Sequence, residues 1–190
     1  MNVEAKWDEA RPVPLRTEAF LLLVGAGAFA DYARAELVEG AILGMNHQYS
    51  LHARAQARLL HRLQTAAEAL GGRAEVLPGV GVRIDGWTVL QPDLSLFTGV
   101  PRDAVADASE IPLAVEVSDT TAATDLGVKR RLYAQGGVPE YWVVDLAAGL
   151  LHQFCEPGPD GYGQGDRARL GGRVAAWTIP GLAVGTDGLG

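Results

Sequence analysis

From residue 50 the chain keeps a four-residue apolar beat. In SLHARAQARLLHRLQTAAEAL (50–70), Leu51, Ala55, Leu59 and Leu63 recur at every fourth position, which stacks them on one face of a helix. Ser50 stands where an N-cap belongs, and Gly71-Gly72 where the helix would stop. From residue 74 the beat becomes two. RAEVLPG, VGVRI and WTVL are short strand-like runs, with Asp85-Gly86 as a hairpin turn. PDLSLF alternates so that Asp93, Ser95 and Phe97 share a face. IPLAVEVS (111–118) is almost continuously apolar, as a central strand covered on both sides should be. Asp125–Gln135 reads as a second helix closed by Gly136-Gly137, and PEYWVVD as another buried strand. Upstream, Thr17 can cap a short helix over Glu18–Val24, and ARAELVEGAILGM reads as two strands about the turn Glu39-Gly40. Downstream, a turn at 147–149 leads to the strand LLHQFCE, a loop rich in glycine and proline (157–165) and a weakly patterned tail.

This order predicts an α/β fold, one domain over residues 1–190 with a mixed central sheet flanked by helices. Residues 1–16 form an extended arm, because Pro12 and Pro14 oppose helix. The core spans roughly 17–155, and 156–190 supply a C-terminal loop and strands. No internal repeat is visible.

Composition narrows the function classes. With 48% hydrophobic residues the chain can bury a core and is not of the disordered type. The lone Cys155 excludes an internal disulfide framework and a cysteine-built zinc site, and fits a reducing cytoplasm. The N-terminus is polar and of mixed charge, unlike a secretory leader. The run AFLLLVGAGAFA (19–30) is shorter than the ~20 apolar residues a membrane span needs. A net charge of −7 does not advertise a polyanion partner, so contact with nucleic acid would require a local basic surface and a cation.

The candidate chemistry lies in residues 92–145. A glutamate inside LAVEV must be paired or metal-bound, because burying an isolated carboxylate costs several kcal/mol. Glu116 therefore answers either to a structural arginine or to a metal. Asp93 opens the neighbouring apolar run after Pro92, although Pro-Asp is also a common turn pair. Asp125 and Lys129 are four apart on a helix and share a face, either as a surface ion pair or as part of a site.

Those residues carry a resemblance. Pro92-Asp93, VEVS (115–118) and Lys129 resemble the PD-(D/E)xK, restriction-endonuclease-like superfamily. More closely, AELVEG (35–40), His52, Pro92-Asp93, VEVS, Asp125, Lys129, Tyr133 and GVPEYWVVD (137–145) resemble the Uma-two family of bacterial nuclease-like proteins, over roughly residues 17–155. The sequence departs from the superfamily motif at Ser118, where a lysine is usual; the resemblance implies that the lysine is displaced to Lys129. A second departure is GMNHQYSLH, where the family has a proline-containing loop.

The resemblance implies a metal-dependent endonuclease acting on nucleic acid, in the first place DNA. Asp93 and Glu116 would be the metal ligands for Mg²⁺ or Mn²⁺, and Asp93, Glu116, Lys129 and Glu36 the catalytic set. Glu36, in an exposed-looking hairpin, is equally a solvated acid. His52 would contact a phosphate or cap its helix. Arg54, Arg58 and Arg62 form a basic stripe that could track a phosphate backbone or simply be a solvated face. Asp125 belongs to the same nucleic-acid-contacting group. A homodimer is expected, since a two-fold pair matches duplex symmetry.

Two other classes compete. A non-catalytic DNA-binding or protein-interaction module could use the same fold. The string Gly25-x-Gly27-x-x-Ala30 mimics a dinucleotide fingerprint, but Met45 and Asn46 stand where its acid belongs and no strand–helix–strand unit follows. A G-x-S-x-G nucleophile elbow is absent from the sequence.

Overall fold

The computed structural model describes residues 11–46, 50–71, 74–99 and 105–190. Two large sheets organise them, beside a small third one that pairs Arg173–Ala175 with Ala183–Gly185. The larger has six strands in the order β11-β10-β9-β8-β6-β3. Its centre is β8 (Leu113–Ser118) lying parallel to β9 (Glu140–Asp145), and both are buried along their whole length. On one side of them lie β6 (Leu94–Phe97) and β3 (Glu75–Pro78); on the other, β10 (Leu150–Gly158) and β11 (Gly161–Arg169). All these neighbours pair antiparallel, so the sheet is mixed. The second sheet, order β2-β1-β5-β4-β7, takes β1 (Arg34–Val38), β2 (Ala41–Met45), β4 (Gly81–Asp85), β5 (Thr88–Leu90) and β7 (Val105–Asp107). The alternation predicted these strands except β7 and β11, and not their division between sheets.

Alternation along β8 sets the layers. Leu113, Val115 and Val117 face α2 (Ser50–Ala69) and join a core with Leu59, Leu63, Trp142 and Val144. Ala114 faces the other way, into a core with Phe97, Tyr133 and Tyr141. Glu116 shares the parity of Ala114 and points to that second side.

Helix α2 buries Ala55, Leu59, Leu63 and Ala67, as its period requires. Leu51 is exposed instead, and His52 is buried in the first turn. There the helix overhangs the end of the sheet, so a polar residue meets the protein where the stripe expected leucine. In α1 (Thr17–Gly25), Arg16 holds the cap position and makes no side-chain cap. The Thr17 hydroxyl donates instead to the Asp85 carbonyl at 2.9 Å, tying the helix to the turn after β4. The turn joining β1 and β2 places Glu39 at φ 49° and Gly40 at φ 84°, the conformation of a two-residue hairpin.

The second predicted helix is three pieces: α3 (Ala122–Thr124), a π turn (Asp125–Lys129) and α4 (Arg130–Gln135). Gly137, at φ 78°, ends it as a left-handed terminator. The expected loop at 157–165 is a correction. Residues 150–169 form the long hairpin β10–β11. Its glycines hid it: Gly165 lies under the Phe154 ring, where an added Cβ would come within 2.9 Å. Of the expected arm, residues 1–10 lie outside the described set, and 11–16 carry no regular structure.

Candidate active site

The register of β6 against β8 pairs Leu94 with Val115. Continued by one residue, it sets Asp93 opposite Glu116, and directly opposed residues share a face. The Asp93 carboxylate turns back along the ladder and accepts the Val117 N–H at 2.8 Å. It also contacts His52 Nε2 at 3.0 Å and accepts from Arg34 Nη1 at 3.1 Å. Arg34 Nη1 donates in addition to the Gln91 carbonyl at 3.0 Å, and Gln56 Nε2 donates to the Asp93 carbonyl at 2.8 Å.

Behind Asp93 lies a second cluster. Lys129 Nζ donates to Glu116 Oε1 at 2.9 Å and to Glu36 Oε1 at 3.0 Å. Tyr133 Oη donates to the same Glu116 oxygen at 3.0 Å. Glu36 Oε1 accepts the Gln91 N–H as well, while its Oε2 is buried with no partner among the described residues. Asp125 sits beside the ammonium at 4.0 Å and is fixed by the hydroxyls of Ser118 and Thr121, both at 2.6 Å. The π turn widens the helix by one residue where Lys129 leaves it, a local irregularity of a kind that recurs at functional sites.

All four carboxylates are nearly inaccessible: Glu36 1%, Asp93 3%, Glu116 1% and Asp125 2%. Against them stand two permanent cations, Arg34 and Lys129. The carboxylates outnumber the permanent cations, and His52 against Asp93 adds positive charge when protonated. Burial pushes Glu116 up to about 8; Lys129 opposes the shift, and the charges of Asp93, Asp125 and Glu36 add to it. Burial also works against the Lys129 charge, but Glu116 and Glu36 outweigh it, so Lys129 remains an ammonium. At Asp93 burial opposes ionisation, yet His52, Arg34 and the Val117 N–H overcome it and bring the group down to about 2.

A cavity of about 430 Å³ opens onto this cluster. Arg34, His52, Gln56, Asp93 and Asp119 line it, whereas Glu116, Lys129 and Glu36 lie behind its wall.

Of the residues singled out in the sequence, the fold brings Glu36, Asp93, Glu116, Asp125, Lys129 and His52 together. Asp125 faces no solvent and braces the lysine rather than presenting itself to a ligand. The arginine stripe disperses: Arg58 donates to the Gly188 carbonyl, and Arg62 to the carbonyls of Gly185 and Asp187 at 2.9 and 2.8 Å. Arg54 and Arg58 are exposed and Arg62 is half-buried. Arg34 was missed. Its signal is the two-residue spacing from Glu36, which puts both on one face of β1. Among the described residues, no three His, Cys, Asp or Glu side chains form a ready-made metal cluster. The donors nevertheless suit a hard cation: they are oxygens only, Glu36 Oε2 lacks a partner among the described residues, and the carboxylates outnumber the permanent cations.

A family model described as "Putative restriction endonuclease", Uma2, matches residues 18–183. The chain belongs to the Uma2 family. The Uma2 match extends past the sequence resemblance and takes in β10, β11 and the short strand Arg173–Ala175. A crystal structure titled "a putative nuclease" from Anabaena variabilis superposes with a TM-score of 0.66. It shares 15% identity, with 84% of this chain and 86% of that one covered, and at that identity it speaks for the fold. No curated protein matches the sequence. The distinctive Uma2 block GVPEYW has a structural task here. Glu140 within it is fully buried and accepts from Trp142 Nε1 at 2.6 Å, from the Trp177 N–H at 2.9 Å and from the Thr178 N–H and hydroxyl, both at 2.8 Å.

Proposed function

We propose that this chain is a metal-dependent endonuclease that hydrolyses phosphodiester bonds in nucleic acid, with DNA as the preferred substrate. The observation that carries the reading is Lys129, whose ammonium bridges Glu116 and Glu36 while Asp93 stands opposite Glu116 at the floor of a cavity.

Asp93 and Glu116 would hold Mg²⁺ or Mn²⁺, with Glu36 supporting them through its open oxygen. When bound, such an ion supplies Lewis-acid activation of water and charge neutralisation at phosphorus. The rest falls to the chain. Lys129 is charged, so it acts as an electrostatic stabiliser of the oxyanions that develop at phosphorus and not as a base. Tyr133 fixes one Glu116 oxygen. His52 and the Val117 N–H hold the Asp93 carboxylate in one rotamer, so its geometry is preorganised. Asp125, pinned by two hydroxyls, braces Lys129. A dimer working in the cytoplasm completes the proposal.

A cleavage screen over single- and double-stranded DNA and RNA, with Mg²⁺ and Mn²⁺, tests it. Cutting by the native chain that disappears in Glu116→Gln supports the reading. Metal-independent cutting, or equal cutting by the variant, would sink it. Tight DNA binding without cutting would favour the non-catalytic module.

A further inference from the structure

Arg34 occupies an unusual position. It opens β1, paired in register with Met45, and its side chain lines the cavity. Both Asp93 oxygens already hold donors: Oδ1 takes Arg34 Nη1, and Oδ2 takes His52 Nε2 and the Val117 N–H. A cation that approaches Oδ1 meets the Arg34 guanidinium there. Arg34 is the most exposed of the side chains concerned, at 18%, against 8% for His52. Beyond Asp93, its Nη1 is held by the Gln91 carbonyl at 3.0 Å. Its Nε rests on the Met45 sulfur, a weak acceptor, and Nη2 has no partner among the described residues. Its charge is felt by Glu116, Asp93 and Glu36 together, so it lies among the carboxylates a divalent ion would use. A guanidinium and a divalent ion on one carboxylate oxygen repel each other. A planar fork with a free edge is in turn well shaped for a phosphate oxygen.

We propose that Arg34 is the exchangeable counter-cation of this site. It occupies Asp93 in the metal-free protein, yields that carboxylate to the divalent ion, and then binds the phosphodiester of the substrate. The proposal rests on the reading of Asp93 as a metal ligand. It makes ion binding and substrate binding depend on one side chain, so loading the metal prepares the phosphate site.

The test uses two binding measurements on the full chain. Mn²⁺ affinity is measured by the spin-resonance signal of the free ion for the native protein, Arg34→Gln, Arg34→Lys and Asp93→Asn. Affinity for a phosphorothioate-protected DNA oligonucleotide is measured with Ca²⁺ present. Arg34→Gln should bind Mn²⁺ at least ~10-fold tighter, the scale of one charge-assisted contact, and the oligonucleotide ~10-fold more weakly. Arg34→Lys, which keeps the charge but cannot span Gln91 and Asp93 together, should fall between, and it serves if the glutamine variant does not fold. Mn²⁺ bound equally by the native protein and both variants overturns the exchange while leaving the metal reading intact. Oligonucleotide affinity unchanged in both overturns the phosphate role. No Mn²⁺ binding in any form, or binding unaffected by Asp93→Asn, overturns the metal reading and this proposal with it.

Discussion

The ammonium of Lys129 lies 2.9 Å from Glu116 Oε1, yet the two residues belong to different elements, one to a π turn and the other to the central strand. In the superfamily pattern that the sequence resembles, the lysine would follow two residues after the glutamate, on the same strand. Here Ser118 takes that position and spends its hydroxyl on Asp125. The cation arrives from the facing helix instead. Because it is sealed between Glu116 and Glu36, its removal should affect the protein before any substrate is added.

Lys129→Ala should abolish cleavage, by more than ~100-fold if the lysine stabilises the transition state as an oxyanion donor does. It should also destabilise the metal-free fold by roughly 3–5 kcal/mol at pH 8, the usual cost of stripping one partner from a buried pair. At pH 5 the loss should be smaller, because the abandoned carboxylates can protonate. Urea unfolding at the two pH values measures this. Equal stability to the native chain at pH 8 would mean the lysine is not buried between the acids.

Glu116 makes the metal-free protein pH-sensitive. Its folded pKa, near 8, lies above the ordinary glutamate value of 4.5. The folded state therefore holds a proton that the unfolded state releases. That contribution to stability is complete below about pH 4.5 and is lost as pH rises through about 8. Native protein in chelator should lose melting temperature across this window, and Glu116→Gln, which cannot ionise, should flatten the profile. A divalent ion should reverse the trend by binding the ionised carboxylate. Identical profiles for the two proteins would refute the raised pKa.

Much of this was legible in the chain, and for physical reasons. A glutamate amid Leu113, Val115 and Val117 is conspicuous because an unpaired buried charge is expensive, and alternation alone placed Asp93 and Ser95 on one face. The rest needed the fold. Periodicity put Asp125 and Lys129 together but could not show that a π turn aims them inward. Nothing local to Arg34 says that it reaches Asp93, a contact 59 positions away in the chain. Gly163 and Gly165 erased the alternation of β11, since a strand whose side-chain space is filled by a neighbour, Glu156 over one and the Phe154 ring over the other, reads as loop. The stripe of Arg58 and Arg62 looked like a free basic face because the carbonyls that hold it come from the last residues of the chain.

Glu140 gives a prediction that separates structure from chemistry. Its carboxylate gathers the backbone of Trp177 and Thr178 onto the end of β9. Glu140→Gln turns one acceptor oxygen into a donor facing other donors. The expected cost is about 2–4 kcal/mol, in the range for a disrupted buried charge-assisted network. Exchange protection at the Trp177 and Thr178 amides should fall, while Mn²⁺ affinity should hold, because the cluster around Glu116 does not include this residue. Loss of metal binding with the fold intact would place Glu140 in the site after all.

The last prediction moves the lysine. Ser118 has the parity of Glu116 on β8 and is fully buried, with its hydroxyl 2.6 Å from Asp125. A lysine at 118 would bring an ammonium to the same carboxylates from the strand, the arrangement of the superfamily motif. Alone, Ser118→Lys should be strongly destabilising, since it adds a third cation and several methylenes to a filled space. Combined with Lys129→Ala, it restores the charge count and fills the volume the first lysine leaves. The double variant should therefore be more stable at pH 8 than either single variant, and it should recover part of the cleavage that Lys129→Ala loses. Thermal unfolding and a cleavage assay run on all four proteins form a double-mutant cycle, in which a favourable coupling energy of at least ~1 kcal/mol is expected. Simple additivity would show that the two positions do not share a site, and that the lysine of this chain acts from the helix for a reason other than charge.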